Sequence, residues 1–264
     1  VITSLALIPI LLTKKKPPTF KKIEAMTLKN LYESSPFGFV SSFFYGTIQS
    51  ALFTLLAVYA TSMNFTILEI SIVTFLLAIS GSIAQFPVGK ISDLYDRRKV
   101  LIFSTFGAAL FSLLSILVSR QMYLPDGLAT SKTWFYIFFI LFSFCSLPMF
   151  SLILAHTNDY IPKEKFVAAG AGLQFVFGLG AMSGPFLCSI FMDVVGSNGF
   201  FVFLFFFHSI IGAFGVYRMR KRPTVDNPDS QFVAMPQTIT PAGIELNPTT
   251  EPIEEPLKEE EKLI

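Results

Sequence analysis

Residues 87–100 read PVGKISDLYDRRKV, and six of these fourteen side chains are charged. The flanking runs ISIVTFLLAISGSIAQF (70–86) and LIFSTFGAALFSLLSILVS (101–119) carry no charge at all. About 20 apolar residues, rising 1.5 Å each, are needed for a helix to cross the hydrocarbon of a bilayer. The pattern is that of two membrane-spanning helices joined by a short charged connection. Open sheets cannot satisfy their backbone hydrogen bonds in lipid, so the apolar runs are read as helices.

Working outward, four more runs of the same kind appear, giving spans at 36–60, 67–88, 100–118, 134–155, 167–191 and 199–217. None has a charged residue near its centre. Composition agrees: 52% of the 264 residues are hydrophobic and 14% charged, against roughly 25% charged in soluble domains. The net charge of +2 gives no reason to expect nucleic acid as a partner, whereas the lipid bilayer is the expected surrounding. Sixteen of the 20 basic residues fall in 13–35, 89–99, 156–166 and 218–222, and the connections between hold Arg120 and Lys132. Every second connection is basic, so by the positive-inside rule the basic connections and the C-terminus are expected in the cytoplasm.

The opening VITSLALIPILL (1–12) is too short to span and lacks a signal-peptide pattern. It is expected to be the end of a truncated transmembrane helix, with 13–35 a cytoplasmic linker, 36–217 the six-helix unit and 218–264, rich in Pro, Thr and Glu, a disordered cytoplasmic tail. Cys145 and Cys188 lie far apart in apolar runs, which suggests no disulfide framework or metal cluster.

Several polar residues fall where a polar group needs a reason. Asp93 can accept hydrogen bonds from open amides at a neighbouring helix end, while Arg97 and Arg98 can pair with carboxylates and carbonyls. With Gly89 permitting close backbone approach, these form a candidate cytoplasmic gate; the alternative is a set of topology determinants in a solvated turn. Gln49 lies mid-span and, with Tyr45 and Gln174, is a candidate for the solute path or for interhelical hydrogen bonding. Ser71, Thr74, Ala78, Ser82 and Gln85 share one small, polar face. Thr66 and Glu69 have capping-box spacing. His208, in FLFFFHSIIG, is a candidate proton carrier or a neutral hydrogen-bonding partner. His156 and Asp159 sit at a span end as gate or capping residues, or in a solvated loop. GLGAMSGP (178–185) suggests close packing with a bend. No zinc, serine-nucleophile or phosphate-loop constellation is present, so no catalytic residue, metal or cofactor is expected and the chain is not read as an enzyme.

The run GKISDLYDRR (89–98) resembles the G-x-L-A-D-R-x-G-R-R/K signature of the major facilitator superfamily, matching at Gly89, Asp93, Arg97 and Arg98. It departs at Leu94 and Asp96, as the superfamily's looser second copy does. The resemblance implies an all-α membrane protein, the C-terminal half of a twelve-helix permease, with the missing N-terminal half of the same protein as its partner. More narrowly, QFPVGKISDLYDRR, AHTNDY and GLGAMSGP resemble the YcaD-like branch of bacterial permeases, which implies the inner membrane. The implied function is secondary active transport of a small-molecule solute by alternating access, as a symporter or antiporter with proton coupling the usual habit. A non-transporting membrane scaffold or a channel subunit is the alternative. In the superfamily the acid at the second-copy position faces the other half, so Asp93 is expected to lack a partner in this chain.

Overall fold

The computed structural model describes residues 26–121 and 128–221. The segment expected to be the end of a truncated helix (1–12), most of the expected linker and all of the expected tail beyond Lys221 lie outside the described residues. Within them the fold is all-α, with no strand. A short helix, α1 (Leu28–Ser34), occupies the end of the expected linker and leads into α2 (Pro36–Ser62), α3 (Ile67–Leu94) and α4 (Arg97–Gln121). Then follow α5 (Leu128–Ser146), α6 (Met149–Asn158), α7 (Phe166–Val195) and α8 (Gly199–Lys221). α5 and α6 together form one span, so among the described residues six segments are long and apolar enough to cross a membrane.

Local chemistry sets the boundaries. Pro36 occupies the first turn of α2, where its missing N–H costs nothing. Asn64 takes a left-handed backbone (φ 58°) just after α2, a conformation that asparagine tolerates better than most residues. α3 opens on the expected capping box: the Thr66 hydroxyl accepts from the Glu69 N–H at 3.3 Å, and the Thr66 N–H donates to Glu69 Oε2 at 2.8 Å. Pro148, which has no N–H, separates α5 from α6.

The six spans close around an aromatic core. Tyr59 stacks on Phe200 and meets Phe201 edge-on at 5.0 Å, and Phe135 and Phe139 continue the stack. α4 packs on α5 and α8, and α5 also packs on α3. The most extensive contact joins α2 to α7. The Ser42 hydroxyl donates to the Leu173 carbonyl at 2.8 Å and that of Thr47 to the Gly180 carbonyl at 3.1 Å, so the register advances in the same direction along both helices and the pair is parallel. The backbones meet through glycines. A Cβ on Gly46 would strike the Phe177 carbonyl, and one on Gly180 the Phe43 carbonyl. Gly180 and Gly184 of GLGAMSGP thus serve close packing, whereas Gly178 faces open space, and the helix runs on through Pro185.

Coverage is uneven. In the most apolar stretches of α3 and α7 only 28% and 22% of residues are buried, against 44% to 61% in the other four spans. Phe75, Ile83 and Phe86 of α3 and Met182 and Phe186 of α7 face outward, beside the exposed Ser71, Thr74, Ala78 and Ser82.

The close approach makes a testable contrast. Gly180→Val must push backbone against backbone and is expected to cost about 1–3 kcal/mol, whereas Gly178→Ala, with nothing within 4 Å of the added methyl, is expected to be neutral or stabilising by up to about 1 kcal/mol. Thermal unfolding of the detergent-solubilised protein checks it; equal effects would mean that α2 and α7 do not pack through Gly180.

Candidate functional site: a charged joint at the basic end of the bundle

The charged run 89–99 folds as the last turns of α3, a two-residue break at Tyr95 and Asp96, and the first turn of α4. Asp96, which departs from the superfamily signature, acts as the cap of α4. Its Oδ1 accepts the Arg98 N–H at 3.0 Å, and its carboxylate receives the Arg98 guanidinium through Nε (3.2 Å) and Nη2 (3.0 Å). Arg98 also interacts with Tyr160. With Ser35, His156 and Arg218 these two side chains border a small cleft where α2, α6 and α8 end together.

Arg97 is the hub. Its side chain is 7% exposed and its two terminal nitrogens point in different directions. Nη2 donates to Asp93 Oδ1 at 2.9 Å; Nη1 donates to Asp159 Oδ1 at 2.7 Å and to the Ala155 carbonyl at 3.2 Å. One planar fork therefore ties the end of α3 to the C-terminal end of α6. The position is favourable twice over: the last carbonyls of α6 form the negative end of its dipole, and Asp93, ill placed in the last turn of α3, has a cation beside it. Asp93 is thus paired within the chain, contrary to the expectation that its partner would be missing. The tight α3–α4 turn brings Arg97 back over it. Gly89 is buried in α3 below this joint.

Asp159 caps α6 and belongs to the joint, and its partner Arg97 excludes the solvated-loop reading. His156 is buried between the rings of Phe37 (5.3 Å) and Tyr160 (5.1 Å). Asp96, Tyr160 and the Ala155 carbonyl are members that sequence reasoning missed. Asp96 carried a legible signal, an acid two residues before an arginine at a helix start; a backbone carbonyl carries none. At the other end of the bundle, also unforeseen, Lys132 donates to Glu69 Oε1 at 2.6 Å beneath the Phe65 ring.

The residues read as a solute path do not come together. Tyr45 is fully buried, and its hydroxyl donates to the Leu147 carbonyl at 3.2 Å, at the break between α5 and α6. Gln49 is 3% exposed, and neither atom of its amide has a hydrogen-bond partner among the described residues. Gln174 Oε1 is likewise without one. The α2–α7 register puts Gln49 and Gln174 roughly 10 Å apart along the helix axes. His208 is wholly buried: its Nδ1–H donates to the Leu204 carbonyl at 2.7 Å, which leaves Nε2 to accept from the Ser146 hydroxyl at 3.0 Å. Among the described residues these two are its hydrogen-bond partners.

A six-span bundle with this joint between its second and third spans can be set beside known sequences. The sequence model of the Major Facilitator Superfamily matches residues 38–257. The chain belongs to that superfamily. It is 26% identical over 186 residues to an uncharacterized MFS-type transporter, YfkF, of Bacillus subtilis, covering 67% of this chain and 44% of the relative. It is 25% identical over 190 residues to another, YE1530, of Yersinia enterocolitica, covering 72% and 44%. The alignments thus span less than half the length of these curated relatives. No solved structure matches at a significant level.

The unequal exposure of the two acids gives an ordering. Asp159 is 13% exposed and Asp93 37%, so Asp159→Asn is expected to destabilise more than Asp93→Asn, whose charge water already screens. Arg97→Gln should cost most, toward the low end of the roughly 3–5 kcal/mol for breaking a buried pair. Arg97→Lys should recover only part, because an ammonium cannot reproduce the two-way fork. Chemical or thermal unfolding of the four variants ranks them; Asp93→Asn at or above Asp159→Asn would refute the geometry.

Proposed function

We propose that this chain is the C-terminal half of a permease that moves a small-molecule solute across a membrane by alternating access. In this reading α3 and α7 lie against the missing N-terminal half. The observation that carries the proposal is the Arg97 joint: a charged, breakable tie between the α3–α4 turn and the end of α6, where a rocking half must open and close. Superfamily membership and the MFS-type transporter names of the relatives support the transport class. The sparse cover of α3 and α7 supports a second half as their neighbour, since small polar faces such as Ser71, Thr74 and Ser82 suit helix packing or a water-filled path.

Within that reading Asp93, Arg97, Arg98, Asp159 and His156 form the cytoplasmic gate, with Gly89 allowing close approach. The alternating basic connections support a cytoplasmic C-terminus and, for a bacterial protein of the YcaD-like branch, the inner membrane. Gln49 is the leading solute contact. A mid-span amide left unpaired costs stability, and a solute or water that visits it supplies the hydrogen bonds that the described residues do not. Tyr45, fixed to the Leu147 carbonyl, bears on the path through the α5–α6 break, and Gln174 lies farther toward the gate. Proton coupling through His208 rests on its burial alone, since its ring is engaged by Ser146 and Leu204.

The test is solute uptake or efflux in membrane vesicles from cells expressing the complete gene, with and without a pH gradient. Asp159→Asn is expected to change the rate at equal membrane abundance. Gln49→Leu is expected to lower transport about three- to tenfold, the worth of one hydrogen bond, while raising thermal stability because an unpaired buried amide is removed. Stabilisation with transport intact would take Gln49 out of the path, and an unchanged rate in Asp159→Asn would take the joint out of the gating cycle.

A further inference from the structure

Arg97, Arg98 and Lys99 are three consecutive cations, and the fold treats the third differently. Arg97 and Arg98 are buried against Asp93, Asp159 and Asp96. Lys99 is exposed and makes no ion pair among the described residues. It stands at the mouth of an open groove of about 410 Å³ on the flank of the bundle. α3 and α4, joined by a two-residue break, make little contact with each other beyond it, and α5, packed against both, forms the floor. The walls are apolar: Val88 and Ile91 from α3, Phe103 from α4 and Phe144 from α5, with Tyr95 beside Lys99 at the rim. Phe103 is 77% exposed and Tyr95 68%.

We propose that this groove binds one anionic phospholipid, with its phosphate on Lys99 and the upper part of an acyl chain between α3 and α4. From Tyr95 to Val88 the apolar wall runs about 10 Å inward from the charged mouth. That order, cation and amphipathic ring at the rim and hydrocarbon below, matches a lipid molecule from headgroup to chain. A free phosphate would have no use for the apolar wall, and a purely apolar occupant none for the unmatched lysine. An anionic headgroup complements Lys99 without the competing amine of a zwitterionic lipid. This site is separate from the Arg97 joint and does not depend on the transport reading.

The test is photo-crosslinking of the full chain in nanodiscs of phosphatidylcholine doped with phosphatidylglycerol carrying a photoreactive acyl chain, then peptide mapping. Phosphatidylcholine with the same reactive chain is the control. Label is expected in 88–104 and around Phe144, about fivefold greater for phosphatidylglycerol, the worth of one lysine near an anionic headgroup. Lys99→Gln should remove that excess and Lys99→Arg retain it; Ile91→Trp, which fills the groove, should lower labelling by both lipids. Equal labelling by the two lipids, or an excess that survives Lys99→Gln, would overturn the proposal. So would label on the outward face of α3 around Phe75 with none in the groove, the result expected if protein rather than lipid covers it.

Discussion

Hydrocarbon gives two apolar helices no reason to prefer each other over lipid, so the bundle depends on contacts that lipid cannot imitate. The α2–α7 pair supplies them. Gly46, Gly180 and Gly184 let the backbones approach until any Cβ would collide with the facing helix, and at that distance Ser42 and Thr47 reach carbonyls across the interface. Close van der Waals contact and short hydrogen bonds come from the same small residues. The aromatic stack around Tyr59, Phe135, Phe139 and Phe201 does comparable work on the other side of α2, through shape and ring geometry.

Charge is used sparingly and only at the ends. At one end Arg97 gathers Asp93, Asp159 and the Ala155 carbonyl; at the other Lys132 meets Glu69. Both ties fasten a helix end of α3 to the broken α5–α6 span. That span carries the Pro148 interruption, with the Tyr45 hydroxyl on the adjoining Leu147 carbonyl and Ser146 on His208. A segment pinned by charge at both ends and interrupted in the middle can change shape at the interruption while its ends stay registered, a mechanical basis for the gating proposed above.

The amide of Gln49, without a hydrogen-bond partner among the described residues, stands against this economy. Elsewhere hydroxyls in the spans mostly find carbonyls of their own helix, as Thr105, Ser112 and Ser143 do. A glutamine cannot fold back as readily, and in hydrocarbon its unmet donors and acceptors are costly. Such a residue suits a function better than it suits the fold.

Much of this architecture was legible along the chain. Six uncharged runs of spanning length, an alternation of basic connections and the GKISDLYDRR signature dictate an all-α membrane bundle of the superfamily, because backbone satisfaction in lipid leaves the helix as the only answer for such runs. The capping box at Thr66 and the close packing at Gly180 and Gly184 are equally local signals. Tertiary structure alone decided who meets whom. The resemblance places the partner of Asp93 in the other half of the protein, whereas Arg97, four residues on and just past the turn at Tyr95 and Asp96, pairs with it within this chain. Asp159 joins them from 62 residues away through α6. Tyr45 and Gln49 look alike in sequence, one turn apart on α2, yet one is bonded to a carbonyl that the break beside Pro148 leaves accessible and the other to nothing described. Periodicity shows which face a residue occupies, but whether a partner waits there depends on the register of another helix.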